Sequence, residues 1–120
     1  MLQIKNLSKT YGKFTALDNL NLTIGKGQIF GFVGPNGAGK TTTMKIVLGL
    51  LRPRSGIVTV CGEQVIYGAT KTNRHVGFLP DVPEFYGYMR PKEYLRLCGE
   101  ITGLSSGQIR AKSEELLELV

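Results

Sequence analysis

A glycine-rich stretch, residues 34–41, constrains this chain more than any other feature of its sequence. It matches the pattern G-x-x-x-x-G-K-[ST] at every fixed position, and an apolar run, residues 29–33, comes directly before it. Glycines let the backbone turn so that successive N–H groups point inward, where they can bind phosphate oxygens. The stretch therefore predicts a strand at residues 28–33, a phosphate-binding loop, and a helix that begins near Gly39.

Lys40 and Thr41 give this loop a specific chemistry. In the pattern, the lysine reaches the β- and γ-phosphates of a nucleotide, the hydroxyl binds Mg²⁺, and the helix start adds the positive end of its dipole. A plain turn between strand and helix is the alternative. Such a turn needs one or two glycines, whereas this stretch has three around a Lys-Thr pair. The sequence therefore predicts nucleotide binding.

The chain is short and shows no pattern for secretion or membrane insertion. Its 120 residues fit one domain. No apolar run approaches the roughly 18 residues that span a bilayer, and the N-terminus lacks the pattern of a signal peptide. We therefore expect a cytoplasmic location. Cys61 and Cys98 lie far apart without a neighbouring His or Cys, so we expect small buried apolar residues rather than a disulfide or zinc site.

The formal net charge of +6 is unevenly distributed. Residues 1–54 contain eight Lys or Arg and one acidic residue, and residues 55–120 contain seven against eight. The cations are scattered and no nucleic-acid motif is present, so we expect no nucleic-acid partner. Attraction for a polyanionic nucleotide explains the excess, and an anionic membrane surface stays open as an alternative.

Hydrophobic periodicity predicts the remaining elements. Strand patterns occur at Leu2, Ile4 and Leu7, at residues 16–24, at residues 57–61 and at residues 75–79. Three helices are predicted from apolar faces: Met44, Val47, Leu48 and Leu51; Tyr94, Leu97, Cys98 and Ile101, after Pro91; and Ile109, Leu116, Leu117 and Val120, within residues 107–120.

Three segments resemble the ATP-binding cassette (ABC) ATPases in their order and spacing. They are residues 7–12 (LSKTYG), residues 16–22 (ALDNLNL) and residues 34–42 (GPNGAGKTT). Within that family, residues 76–81 (VGFLPD), then Phe85-Tyr86, then residues 93–95 (EYL) resemble the ATPase subunits of bacterial drug, antibiotic and bacteriocin exporters. The resemblance covers the whole chain.

The resemblance implies an α/β fold, a P-loop NTPase of ABC type. It implies an N-terminal antiparallel β-subdomain, a strand–P-loop–helix core and the start of a helical subdomain. Residues 1–120 would then be the N-terminal part of one nucleotide-binding domain, with a β-rich ATP-binding core at 1–90 and the helical subdomain beginning at 91–120.

The resemblance also implies roles for individual residues. Tyr11 matches the aromatic that stacks on adenine, and an ordinary tyrosine at a strand end is the alternative. Thr42 matches a hydroxyl that supports the loop toward the α-phosphate. The expected nucleotide-binding residues are Tyr11, Gly34, Pro35, Asn36, Gly37, Ala38, Gly39, Lys40, Thr41 and Thr42.

Asp81 departs from the family pattern. Family members usually carry Gln there, which reaches Mg²⁺ and the attacking water and contacts the membrane subunit of the transporter. A carboxylate is a hard oxygen donor, so Asp81 joins Thr41 as a candidate for the metal, through water. A turn residue after Pro80 is the alternative.

Three further features resemble functional groups but are better explained as structure. Residues 104–108 (LSSGQ) resemble the family's signature, but Ser105 and Gln108 form a capping box for the last helix. Residues 76–81 resemble a Walker B strand, but Gly77 and Pro80 interrupt them. We expect His75 to be a partly exposed strand residue rather than a catalytic base.

No credible catalytic residue is present, because the family's signature, Walker B Asp, catalytic Glu and switch His find no match. The resemblance therefore implies the N-terminal half of an exporter ATPase that binds ATP and Mg²⁺ but does not turn ATP over alone. Its implied partners are a membrane permease and a second ATPase subunit, and its implied place is the inner face of the cell membrane.

Two other functions stay open. A truncated remnant or interaction module would keep the sheet and dock on a full-length ATPase or permease. A small P-loop kinase or GTPase is disfavoured because no Asn-Lys-x-Asp motif is present. In the fold that the resemblance implies, the other half of the domain supplies central strands, so we expect poor solubility or a loose core.

Overall fold

A long β-hairpin begins the fold. Strands β1 (Leu2–Tyr11) and β2 (Phe14–Ile24) pair antiparallel across a two-residue turn, and β3 (Ser55–Val60) pairs antiparallel with the other edge of β1. A short β4 (Glu63–Gln64) extends the sheet, so the order is β2-β1-β3-β4. The predicted antiparallel N-terminal sheet is confirmed.

Two left-handed asparagines shift the register of the hairpin. Asn6 and Asn19 have φ values of 49° and 50°, a region that asparagine tolerates better than most residues. The Asn6 N–H donates to Asn21 Oδ1 and the Asn19 N–H donates to Ser8 Oγ, both at 2.9 Å. The resulting irregularity lies between Ile4 and Leu7 in β1. Both apolar side chains are therefore buried although they stand three positions apart.

Helix α1 (Lys40–Val47) packs against this sheet and completes its core. The buried core residues are Ile4, Leu7, Leu17, Ile46 and Val58, and the half-buried residues against them are Leu2, Leu20, Leu22, Val47, Leu51 and Val65. The predicted helix face is wrong in part, because Met44 is 42% exposed while Thr43 and Ile46 are buried. Thr43 can be buried because its Oγ1 donates to Gly39 O at 2.9 Å.

Two predicted strands do not form. Residues 28–33 have no regular structure, and residues 71–75 form a 3₁₀ turn (Lys71–His75) followed by irregular backbone through residue 80. No strand of the chain pairs with either segment, and a strand needs a neighbouring ladder to satisfy its N–H and C=O groups. The third strand ends at Val60, so Cys61 lies in the following turn and is exposed; the prediction that it is buried is wrong.

The structure describes all 120 residues, and they divide into two units, Met1–Gly77 and Phe78–Val120. The second unit contains α2 (Pro91–Ile101) and α3 (Ser106–Glu118). These helices approach closely, because a Cβ at Gly99 would lie 2.6 Å from Ile109 Cγ1. No helix of the structure combines the length and apolar character needed to cross a membrane.

The apolar faces of these two helices are only partly as predicted. Ile109 is buried, and Tyr94, Leu97, Cys98 and Leu117 are half-buried. Ile101, Leu116 and Val120 are exposed, which contradicts their predicted inward placement. A helix in a two-helix unit has one neighbour to cover it, so part of each apolar stripe stays in solvent.

Candidate nucleotide-binding site

The loop before α1 turns at two left-handed glycines. Gly37 and Gly39 have φ values of 86° and 84°, and the Ala38 N–H between them donates to Pro35 O at 3.1 Å. Side chains strain the backbone in this region, so glycine is the residue that fits both positions. The loop therefore has the sharply turned backbone that the sequence pattern predicts for residues 34–39.

Gly39 also lies against β2. A Cβ at this position would lie 2.6 Å from both Ala16 O and Leu17 Cδ2, closer than real contacts allow. Leu17 is itself buried in the sheet core. The end of the loop is thus fixed to the hairpin by a contact that has no room for a side chain.

Lys40 folds back over the loop that precedes it. Its Nζ donates to Pro35 O at 2.8 Å and also hydrogen-bonds to Gly34 O. The ammonium group therefore lies beside the first two residues of the loop although it is carried by the first residue of the helix. This geometry concentrates positive charge where the turned backbone begins.

The N-terminus of α1 adds to this charge. Gly39 provides no side-chain cap, and the first turn holds no acidic residue. The first N–H groups of a helix have no intrahelical acceptor, and the helix dipole makes this end positive. Thr41 is exposed and Thr42 is half-buried in this turn. The loop, Lys40 and this helix end together form a site suited to a polyanion.

Tyr11 stands at the end of β1, with 47% of its surface exposed. Its cross-strand partner is Phe14, which lies two residues, about 7 Å along a strand, before Ala16. Because Ala16 contacts Gly39, Tyr11 and the loop lie at the same end of the hairpin. An exposed aromatic face therefore lies near the phosphate loop, within one unit of the fold.

Lys9 is a neighbour of Tyr11 that the sequence reasoning missed. Its Nζ lies 5.3 Å from the centroid of the Tyr11 ring and donates to Arg52 O at 2.7 Å. The sequence spacing indicates this contact, because residues two apart in a strand share a face. The partner Arg52 could not be anticipated, since it lies 43 positions away.

Asp81 belongs to the second unit, after Pro80. It lies in a bend, is exposed and makes no hydrogen bond or ion pair in the structure.

The segment that follows carries an aromatic cluster, with Phe85 and Tyr94 packed edge to face at 5.3 Å. Electrostatic repulsion from the neighbouring Cys98 side chain is the main cause that raises the pKa of Tyr94, and partial burial and the nearby Tyr86 add to it.

Two other sequence features have structural partners. The Gln108 N–H donates to Ser105 Oγ at 3.4 Å and the Ser105 N–H donates to Gln108 Oε1 at 2.9 Å, which confirms the predicted capping box of α3. His75 lies in the 3₁₀ turn rather than in a strand. Its Nε2 accepts from Arg74 Nε at 3.1 Å and lies 3.9 Å from Glu63 Oε2. No group of His, Cys, Asp or Glu in the structure forms a metal-binding cluster.

Known proteins that are similar to this chain are ATP-binding proteins of transporters. A sequence model of the family described as ABC transporter matches residues 17–120. The Nod factor export ATP-binding protein I of Cupriavidus metallidurans is 42% identical over 118 residues, which are 98% of this chain and 39% of that protein. The bacitracin transport ATP-binding protein BcrA of Bacillus licheniformis is 35% identical over 120 residues, 100% of this chain and 38% of that protein. The chain thus spans about two-fifths of the length of these relatives.

Solved structures show the same likeness. An ATP-binding subunit of an ABC transporter is 32% identical with a TM-score of 0.80, over 89% of this chain and 45% of that one. The dimeric, post-hydrolysis ATP-binding cassette MJ0796, bound to ADP and Pi, is 25% identical with a TM-score of 0.80, over 98% of this chain and 56% of that one. These matches confirm the predicted fold class, an antiparallel sheet followed by helices as in the N-terminal part of such a cassette.

Proposed function

The chain belongs to the ABC transporter family, and on this premise we propose that it is the N-terminal nucleotide-binding part of an exporter ATPase. It binds Mg-ATP and, with a second ATPase subunit, energises a membrane permease at the inner face of the cell membrane. The observation that carries the proposal is Lys40, whose ammonium lies over a glycine-turned loop beside an uncapped helix. Relatives named for export and antibiotic transport support the exporter assignment.

Each part of the nucleotide has a proposed contact. The backbone of residues 34–39 and the Lys40 ammonium bind the β- and γ-phosphates, and the Thr42 hydroxyl supports the loop toward the α-phosphate. The Thr41 hydroxyl would hold the Mg²⁺ that accompanies ATP. Tyr11 stacks on adenine, which its exposed ring and its place at the loop end of the hairpin support.

We further propose that these 120 residues bind ATP without hydrolysing it. Hydrolysis needs a group that orients the attacking water beside the γ-phosphate. The first unit has two acidic residues, Asp18 and Glu63, and Glu63 is engaged by Arg74. Asp18 follows Leu17, whose side chain lies against the Gly39 position, so Asp18 projects from the opposite face of β2. Neither carboxylate suits the catalytic role.

Replacement of Lys40 tests nucleotide binding. Loss of charge-assisted hydrogen bonds to phosphate in Lys40→Ala should raise the Kd for Mg-ATP about 10- to 100-fold, measured by titration calorimetry. Lys45→Ala is the matched control, because Lys45 is an exposed lysine of the same helix. Equal affinities of Lys40→Ala and wild type would contradict the proposal. Competition by GTP as strong as that by ATP would favour a GTPase instead.

Turnover is measured on the same proteins. We expect phosphate release by the wild-type chain at the level of Lys40→Ala. A steady-state rate clearly above that control would overturn the proposal that these residues lack hydrolytic activity, while leaving the binding proposal intact.

A second candidate function is an interaction module that docks on a full-length ATPase or a permease. The exposed segment of residues 28–33 favours it, because Ile29 and Val33 are 104% and 93% exposed. Co-purification with such a partner in the absence of nucleotide, and its loss in Ile29→Lys, would support this function.

A further inference from the structure

Lys9 is held in place by the segment that follows helix α1. Its Nζ donates to Arg52 O at 2.7 Å, and the Arg54 N–H donates to Ser8 O at 2.9 Å. These two hydrogen bonds fix the α1–β3 connection to β1 on both sides of Pro53. The position of the ammonium is therefore set by backbone atoms rather than by a mobile side-chain partner.

The same ammonium lies over one face of Tyr11. Its distance of 5.3 Å from the ring centroid is within the range of a cation–π contact. A ring that carries a cation on one face has the other face left for a stacking partner. The contact also restricts the rotation of a tyrosine that is 47% exposed and makes no other aromatic contact in the structure.

We propose that Lys9 is a positioning residue for the base of the nucleotide: it holds the Tyr11 ring from one face, and the purine stacks on the opposite face. The inference rests on the proposed function, since it assumes that Tyr11 binds the base. Lys40 begins α1, and Arg52 lies in the connection that follows this helix, which ends at Val47. The phosphate contact and the backbone partner of Lys9 therefore lie in chain segments that α1 joins.

The opposite arrangement is a definite alternative. If the ammonium covers the face that the purine uses, Lys9 competes with the base, and its removal should strengthen binding. A third possibility is that Lys9 acts only as one more cation near a polyanion, in which case the base is irrelevant. The three arrangements differ in the sign of the effect and in its dependence on the base.

Substitution of Lys9 by methionine separates these arrangements, because methionine keeps most of the length of the side chain and removes the charge. We expect Lys9→Met to raise the Kd for ATP about 2- to 5-fold, the size of an exposed cation–π contact. The Kd for inorganic tripolyphosphate, which has no base, should not change. Lys9→Arg should restore ATP affinity, since guanidinium also stacks on aromatic faces.

Two controls make the result specific. Lys5→Met removes the same charge from the same strand at an exposed position without a contact to Tyr11, and should leave both Kd values unchanged. In a Tyr11→Ala background, Lys9→Met should have no further effect on ATP affinity, because the ring on which it acts is gone. Circular dichroism melts of every variant check that the fold is kept.

Each other outcome overturns the inference. Tighter ATP binding by Lys9→Met would place Lys9 on the face that the base uses. If Lys9→Met weakens the binding of ATP and tripolyphosphate equally, or if its effect persists without Tyr11, Lys9 acts only through its general attraction for anions. A wild-type protein that binds neither ligand would refute the proposed function itself. Binding of both ligands with no effect of Lys9→Met would refute only the role of Lys9.

Discussion

At the scale of single residues, Gly37 and Gly39 give a matched pair. Both are left-handed, with φ values of 86° and 84°, but only Gly39 lies against other atoms. We expect Gly37→Ala to lower the free energy of unfolding by about 1 kcal/mol, the cost of a Cβ in this region. Gly39→Ala should cost about 2–4 kcal/mol, because its Cβ would also collide with Ala16 O and Leu17 Cδ2.

Urea denaturation of the two variants without nucleotide measures this difference. Equal losses would show that backbone strain is the whole cost and that the contact with β2 can relax. A larger loss in Gly37→Ala would contradict the described packing of the loop.

At the scale of elements, α3 depends on its N-terminal cap. Ser105→Ala removes the acceptor of the Gln108 N–H and should lower the stability of the helix by about 1 kcal/mol, with faster amide exchange in its first turn. Ser106→Ala is the control, because Ser106 is the first helical residue and its side chain makes no hydrogen bond in the structure. Weaker ATP binding by Ser105→Ala in the isolated chain would contradict a purely structural role for this serine.

Elements held by local interactions are predicted from the sequence better than elements that need distant partners. The capping box and the loop at residues 34–41 were predicted because their interactions are local and lie within a few positions. The strands expected at residues 28–33 and 75–79 did not form, since a strand depends on a partner that its own sequence does not specify. The burial of Thr43 escaped prediction because a hydroxyl bonded to Gly39 O carries no apolar signal.

At the scale of the whole molecule, the chain buries little apolar surface. Seven hydrophobic residues are buried, and Ile109 is the one that lies in the second unit. Ile29 and Val33 are by contrast fully or almost fully exposed in a segment without regular structure. Exposed apolar runs with unpaired backbone favour association with other chains. The loose core expected from the sequence remains a prediction.

Replacing Ile29 tests whether the exposed segment of residues 28–33 causes association between chains. Ile29→Lys should reduce self-association, measured by sedimentation velocity over a range of concentrations, without lowering the melting temperature, because the side chain packs on nothing. Ile66→Lys is the control, since Ile66 is 61% exposed outside the segment. Equal reduction by both variants would show that added charge alone, rather than this segment, controls association.

The folded-back position of Lys40 has a consequence for selectivity. Its ammonium already donates hydrogen bonds to the carbonyl oxygens of Gly34 and Pro35, so it has acceptors without a ligand. A ligand that offers another neutral oxygen would exchange one such hydrogen bond for another with little gain. A phosphate oxygen differs because it is charged, and charge-assisted hydrogen bonds are roughly twice as strong. The loop is therefore selective for anionic ligands, and neutral polar molecules of similar shape should bind to it weakly or not at all.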